Sequence, residues 1–325
     1  MYQSKLSLLE TEAAIKIIKD RFETLFGERL KLRRVSSPLV VEKDSGLNDY
    51  LSGSEPPVGF IFEQTKLEIV QSLAKWKRLA LKRYDFKYDF GLYTDMNAIR
   101  PNEILSPIHS LYVDQWDWEK IIIKKERTIS YLKKTVNMIF EVLKSVEVEI
   151  NHAYPNLNNK LPDKVFYIDS EALLQMYPLL SSKEREYEIT KSKKAVFIMS
   201  IGGVLSHGKP HDGRSPDYDD WALNGDLLVY HAPLDIALEL SSMGIRVDSE
   251  SLYNQLVKKE ALDRLSYPYH QMIMAGELPL TIGGGIGQSR LCLFYLEKMH
   301  IGEVQASYWP SDVVSACLKD NIKLL

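Results

Sequence analysis

Hydrophobic residues return at helical spacing near the start of the chain: over residues 4–26, Leu9, Ala13, Ile17, Ile18, Phe22, Leu25 and Phe26 fall on one face, and Gly27 stands where a C-cap would be. The spacing predicts an amphipathic helix. Leu30 to Val35 then alternates like a strand, and Pro38 in the run that follows confines it to an edge or to a place beside another subunit. Turn formers crowd residues 43–57, which read as a loop, and Val58 to Phe62 reads as a short strand. Ile69, Val70, Leu73, Trp76 and Ala80 mark a second helix, with Lys75, Lys77, Arg78, Lys82 and Arg83 expected as its solvated basic face.

Gly91 to Ile99 and His109 to Trp118 read as two strands joined across Arg100-Pro-Asn-Glu103. In the second, a period of two puts Leu111, Val113, Gln115 and Asp117 on one face and Tyr112, Asp114, Trp116 and Trp118 on the other. Acids on both faces do not fit a sheet with one solvated side and point to a floor that touches a ligand. A long helix is predicted from Glu126 to about His152, closed by Pro155. Residues 156–200 look like an inserted α/β piece, with strands at 165–168 and 195–199 around helices at 170–177 and 181–194. Strands at Asp226–Tyr230 and Ile236–Leu240 follow, then helices near 249–262 and 263–275 capped by Gly276, a helix over 288–298, a strand near Gly302 to Tyr308 and a polar terminus.

Composition acts mainly by exclusion. At 325 residues, 45% apolar and 26% charged, the chain has enough apolar surface for a sizeable core. A net charge of −3 argues against a protein whose main work is gripping nucleic acid. No apolar run reaches the roughly 18 residues of a membrane helix, and the N-terminus lacks an apolar signal core, so a cytoplasmic location is expected. Cys292 and Cys317 sit in apolar contexts without metal spacing and are expected as buried thiols.

Candidate chemistry centres on Thr281 to Leu291, where Gly283, Gly284, Gly285 and Gly287 let backbone approach a ligand and Arg290 enters an apolar helical pattern. By residue type alone this is either a ligand-free turn or a phosphate cradle, and the spacing fits neither a Rossmann nor a Walker motif. Asp226 and Glu239 stand among apolar neighbours, where a carboxylate is costly unless it is paired or holds a cation; the two are candidate Mg²⁺ ligands or members of separate ion pairs. Asp49 is the acid to watch in the 43–57 loop, where a solvated surface position is the plainer expectation. His207, His211, Asp212, Asp219 and Asp220 are dense in one polar stretch, but their spacing matches no compact metal motif and solvated loop chemistry is expected.

Pro38 after a long helix, Arg100-x-x-Glu103 between two strands, and the glycines ahead of Arg290 resemble, in order, the three motifs of the class II aminoacyl-tRNA synthetase core. A closer resemblance spans nearly the whole chain. Ser72 to Arg78, Leu105 to Glu119, Pro216 to Trp221, Glu239 to Val247 and Thr281 to Leu291 are similar to the ammonia-dependent asparagine synthetase (aspartate–ammonia ligase) family. The resemblance implies an α+β fold, a mostly antiparallel sheet flanked by helices, forming one catalytic domain over residues 1–325 with the insertion at 156–200. It implies a homodimer, and a ligase that joins L-aspartate and ammonia at the expense of ATP through a β-aspartyl-adenylate, releasing AMP and pyrophosphate.

By the same resemblance Arg100 offsets charge at the α-phosphate, Arg290 holds the ATP tail or stacks on adenine, Glu103, Ser110 and Gly285 lie near the nucleotide, and Asp226 with Glu239 holds Mg²⁺. Ser72, Lys77, Gln115, Asp117, Arg214, Asp219 and Ser242 are implied aspartate contacts. Ammonia is mostly ammonium at neutral pH, and Asp49, with Asp219, is the candidate to take its proton. Tyr2 stands where a glutamine-using enzyme would need a nucleophilic cysteine, so glutamine is expected to be a poor nitrogen donor. A tRNA-reading module is not evident, and Arg100, Asp226, Glu239 and Arg290 are all present, against a silent paralogue. One departure is expected to matter: only Ala222 separates Trp221 from Leu223 where the family carries a longer loop, so that either a lid over the site is shortened or a loop is missing from this run.

Overall fold

The computed structural model describes residues 2–51 and 55–325; the middle of the predicted 43–57 loop, residues 52–54, lies outside them. The first helix, α1 (Leu8–Leu30), opens with a reciprocal cap between Ser7 and Glu10 and buries Ile18, Phe22 and Phe26. Gly27 is not its cap. The helix runs one turn further and stops at Lys31, whose left-handed φ of 58° ends the hydrogen-bond ladder. The edge strand β1 (Leu32–Arg34) follows, and Pro38 sits between it and β2 (Val40–Glu42).

β2 belongs to a small sheet with β3 (Gly59–Phe62) and β4 (Thr65–Ile69). Here the sequence reading is corrected: Ile69 ends a strand, and the helix, α2 (Ala74–Arg83), begins only after it. Its basic side is not solvated either. Lys75, Lys77 and Arg78 are each at most 3% exposed, because this side of α2 packs on the main sheet; Arg78 donates to the carbonyls of Pro279 and Val247.

Next come β5 (Gly91–Ile99), β6 (Tyr112–Ile121), the long helix α3 (Ile129–Ala153), β7 (Phe166–Asp169), α4 (Ser170–Met176), α5 (Ser182–Lys193) and β8 (Ala195–Met199). The chain continues through β9 (Asp219–His231), β10 (Ile236–Arg246), α6 (Ser249–Lys258), α7 (Pro268–Met274), β11 (Thr281–Gly287), α8 (Gln288–Tyr295) and α9 (Ser311–Lys319). The main sheet has eight strands in the order β1-β5-β6-β11-β10-β9-β8-β7, antiparallel except for its two outermost pairs. The predicted α/β piece thus lengthens the sheet at its far edge. β6 starts three residues later than expected. The strand predicted at Gly302–Tyr308 is absent; a 3₁₀ turn at Ile301–Glu303 stands there, and the end expected to be polar coil carries α9.

Strand alternation sorts residues 115–118 of β6 as predicted, while Tyr112 and Asp114, expected on the face of Trp116 and Trp118, also line the cavity side. Trp116 and Trp118 point into the core against α1, with Trp116 stacked on Phe22 at 4.3 Å and Trp118 edge-on to Phe26 at 6.0 Å. Gln115 and Asp117 face the other way. The glycine stretch, β11, is a central strand hydrogen-bonded to β6 and β10, so it is not a turn. Both cysteines are free and buried.

Candidate functional site

A cavity of about 380 Å³ lies over β6, β11 and β10, on the face opposite α1. Its floor is bare because the strand beneath it lacks side chains. A Cβ at Gly285 would come within 2.2 Å of Gln115 Oε1 and 2.8 Å of Asp117 Oδ1, so glycine leaves those two polar groups free to face the cavity. At Gly284 a Cβ would strike Met243 Cβ at 2.5 Å, which shows glycine here is demanded by strand packing.

From α2, Lys77 Nζ reaches Asp117 Oδ1 at 3.0 Å and the Gly284 carbonyl at 2.9 Å. Burial holds the lysine below its usual pKa, with Asp117 opposing that shift. Beside this pair, Arg246 at the end of β10 is clamped by Glu119 and Asp219, all at most 3% exposed. Burial raises Asp219 above the usual carboxylate range, against the pull of Arg246. Ser72 Oγ accepts the Ala74 N–H at 3.1 Å at the mouth of α2.

The opposite end of the cavity is cationic. Arg100 follows β5, and its Nε is buried without a hydrogen-bond partner among the described residues, while Nη1 stands 4.0 Å from Glu103. Arg290, in the first turn of α8, donates to the Glu239 carbonyl at 3.0 Å, and Ser110 Oγ pairs with Ser307 Oγ at 2.8 Å. His109 also lines this end; burial, with Arg290 and Arg100 close by, lowers it to about 4, so it is neutral at pH 7.

A β-bulge decides which side chains of β10 face inward. Glu239 and Ser242 are three apart and would sit on opposite faces of a regular strand, but the register shifts between Glu239 and Ser241. Leu240 is the extra residue, and Glu239 and Ser242 both line the cavity. Burial works to raise Glu239, but Arg290, Arg214 and Lys183 outweigh it and hold the carboxylate below its usual range. Asp226, the register partner of Ser242, is pushed above the carboxylate range by burial and by the Glu239 charge.

Asp226 stands apart from the other predicted site residues, just behind the cavity wall and ion-paired to Arg214, which does line it. Its Oδ1 is buried without a hydrogen-bond partner among the described residues; the Ser242 hydroxyl favours the charge without reaching bonding geometry. An orphaned carboxylate oxygen beside a second carboxylate fits a divalent cation completed by substrate oxygens. Among the described residues no group of three or more His, Cys, Asp or Glu is arranged to hold a metal by protein ligands alone.

Asp49, Ser72, Lys77, Arg100, Glu103, Ser110, Gln115, Asp117, Arg214, Asp219, Glu239, Ser242, Gly285 and Arg290 therefore meet in one cavity. Two expectations about exposure fail. Asp49 is 2% exposed, and burial raises it to about 6, with Lys75 and Arg100 opposing and Asp217 adding to the shift. His211 is buried against Glu186 and Asp219 against Arg246, so much of the 207–220 stretch is packed structure, while His207 is exposed as expected. Sequence reasoning missed His109, Lys183 and Arg246 as cavity residues. Arg246 had a signal, since it lies in the Glu239 to Val247 run; Lys183 had none, because only the fold carries α5 to the cavity rim.

The expected short lid is also corrected. Trp221, Ala222 and Leu223 are consecutive residues of the continuous strand β9, with no loop to shorten. Relatives agree on length. A family profile described as "Aspartate-ammonia ligase" matches residues 9–321. An aspartate–ammonia ligase of Clostridium perfringens is 57% identical over 327 residues, covering 100% of this chain and 97% of its own. One from Levilactobacillus brevis is 54% identical over 327 residues, and one from Fusobacterium nucleatum 55% over 325, with 98% and 99% of their lengths covered. Alignments this close to the 325 residues of the chain leave no room for a long missing loop.

Among solved structures, asparaginyl-tRNA synthetase from Pyrococcus horikoshii complexed with asparaginyl-adenylate matches with a TM-score of 0.67 at 14% identity, over 93% of this chain and 70% of that one. The Entamoeba histolytica asparaginyl-tRNA synthetase in complex with asparaginyl-adenylate gives 0.65 at 13% identity, over 93% and 68%. These share the fold alone. Among the described residues no helix is long and apolar enough to cross a membrane. With a profile match over residues 9–321 and relatives above half identity from end to end, this chain belongs to the aspartate–ammonia ligase family.

Proposed function

We propose that the protein makes L-asparagine from L-aspartate, ammonia and ATP through a β-aspartyl-adenylate, with AMP and pyrophosphate as the other products. The observation that carries this reading is the two-ended cavity: an acid- and amide-lined pocket over Gln115 and Asp117 meets a cationic end at Arg100 and Arg290 across a bare glycine floor. An amino acid at the first end and a polyphosphate at the second bring a carboxylate to phosphorus.

Aspartate is held by its two ends so that only the β-carboxylate is presented. Asp117 and Gln115 suit the α-ammonium; Lys77, Arg214 and Ser242 suit carboxylate oxygens, with Ser72 and Asp219 completing the pocket. ATP lies with its base on β11 and Arg290, its phosphates toward Arg100, Glu103 and Ser110. As the β-carboxylate oxygen bonds to the α-phosphorus and pyrophosphate leaves, Arg100 offsets the charge on the phosphoryl oxygens. Its Nε, unpartnered among the described residues, is a donor already desolvated for that task. Asp226 and Glu239 would hold Mg²⁺, which supplies charge neutralisation on the phosphates. Ammonia then attacks the carbonyl carbon, AMP departs, and a proton passes from nitrogen to Asp49, whose raised pKa makes it a competent acceptor near neutrality.

The assay is AMP and pyrophosphate release with purified protein and no RNA. Release that requires aspartate, and asparagine that requires added ammonium, support the reading; release that requires tRNA, or none at all, defeats it. The location is inferred to be cytoplasmic, consistent with two free cysteines, and no nucleic acid takes part. A homodimer is inferred from Phe60, Ile61 and Phe62, 45–69% exposed on the small sheet near the Pro38 connection.

A further inference from the structure

A second cavity, of about 290 Å³, lies behind the first. Three chain segments form the wall between them, and in each the lining alternates from one residue to the next. Asn48 and Tyr50 line the second cavity while Asp49 and Leu51 line the first; Lys75 lines the second while Ala74 and Lys77 line the first; Asp217 lines the second while Tyr218 and Asp219 line the first. The wall is one residue thick, and Asp49 stands in it. The second cavity ends outward at exposed Lys43 and Asp263.

The wall has one loosely held member. Asp217 is fully buried and anchored, with His270 Nε2 and Arg264 Nη1 each at 3.0 Å; burial works to raise it, but Lys75, His270 and Arg264 outweigh that and keep it well below the carboxylate range. Lys75, in contrast, reaches Asp217 only at 3.5 Å, the far limit of a hydrogen bond, on an unbranched stem that can swing. Its neighbours in the wall are tied by backbone contacts: Asn48 Oδ1 accepts from the Asp49 and Gln71 N–H groups, each at 2.9 Å.

We propose that the second cavity is the inlet for ammonia, which passes Lys75 to reach Asp49 from behind while the aspartyl-adenylate fills the first. The inference rests on the ligase reading above, and its chemistry is served by such a path. The acyl-adenylate must be kept from water, and it spans the first cavity from the aspartate pocket to the cationic end, so a path from behind delivers the nitrogen nucleophile without opening that side to solvent. Ammonia is water-sized and needs only a side-chain displacement to cross a single layer. The balanced step is attack of ammonia on the β-carbonyl carbon, cleavage of the carbon–oxygen bond to AMP, and transfer of one proton to Asp49, giving asparagine and AMP.

Asp263→Trp and Lys43→Trp add bulk at exposed positions on the outer mouth, away from the residues placed in catalysis, and Asp263→Ala removes the charge without adding bulk. Aspartate-dependent ATP–pyrophosphate exchange is measured with steady-state asparagine formation against ammonium concentration. The inlet predicts exchange within twofold of the parent in all three variants, with KM for ammonium raised tenfold or more in the Trp variants and unchanged in Asp263→Ala. An unchanged KM in both Trp variants, or an equal rise in Asp263→Ala, overturns it. Absence of aspartate-dependent exchange in the parent protein would instead overturn the ligase reading.

Discussion

Arg100 and Asp49 carry opposite halves of the reaction, and each can be tested alone. Replacing Arg100 with Ala removes one preorganised charge at the phosphoryl group and is expected to slow aspartate-dependent pyrophosphate exchange by about 10²–10³. Asp49 should act only on the second half. Its carboxyl, raised to about 6, accepts a proton only when ionised, so asparagine formation is expected to fall as pH drops through about 6 while exchange persists. Asp49→Asn should abolish that limb and slow asparagine formation without slowing exchange. A second consequence follows from linkage. The folded state binds the Asp49 proton more tightly than the unfolded chain does, so this group's contribution to stability falls as pH rises from about 4 to about 6 and stays low above that. Asp49→Asn escapes this loss and is expected to stabilise the ligand-free protein at pH 7.5 by roughly 2–3 kcal/mol, read by urea unfolding. Nothing in residue type announced the burial of Asp49. Its neighbours are turn formers, and turn formers sit as readily under a packed wall as on a surface.

Individual elements separate the structural glycines from the functional one. Gly284→Ala would drive a methyl into Met243 Cβ and the Ser242 carbonyl, inside the pairing of two central strands, and should destabilise the protein by about 1–3 kcal/mol. Gly285→Ala meets the ends of the Gln115 and Asp117 side chains, which can move; the fold should persist while KM for aspartate rises severalfold and the thermal midpoint changes little. Much at this scale was legible. Helix spacing gave α1 and α3, a period of two sorted residues 115–118 of β6, and the segment 165–199 appeared almost residue for residue. The failures share a cause. A periodic pattern tells which side of an element is polar, but not whether water or another polar group covers it. On α2 the covering partner is the sheet, through Asp117, Gly284, Val247 and Pro279, so Lys77 and Arg78 are buried where a solvated face was expected. The Leu240 bulge is likewise invisible in sequence, and without it Glu239 and Ser242 could not share a face.

At the scale of the molecule, the sheet collects into one cavity residues that lie more than 200 positions apart in the chain, and motif order rather than local pattern revealed this. The resemblance to the ligase family located nearly every cavity residue named in advance; it misjudged the Trp221–Leu223 segment, which is continuous strand. The exposed Phe60-Ile61-Phe62 edge predicts self-association: sedimentation equilibrium should return twice the 37.4 kDa chain mass, and Phe60→Lys with Phe62→Lys should shift it toward the monomer. The central claim, that the β-carboxylate of aspartate attacks the α-phosphorus of ATP, is tested most directly by isotope transfer. With aspartate carrying ¹⁸O in both β-carboxylate oxygens, one label should appear in AMP and one should remain in the asparagine amide. Label in pyrophosphate or inorganic phosphate, or none in AMP, would contradict it.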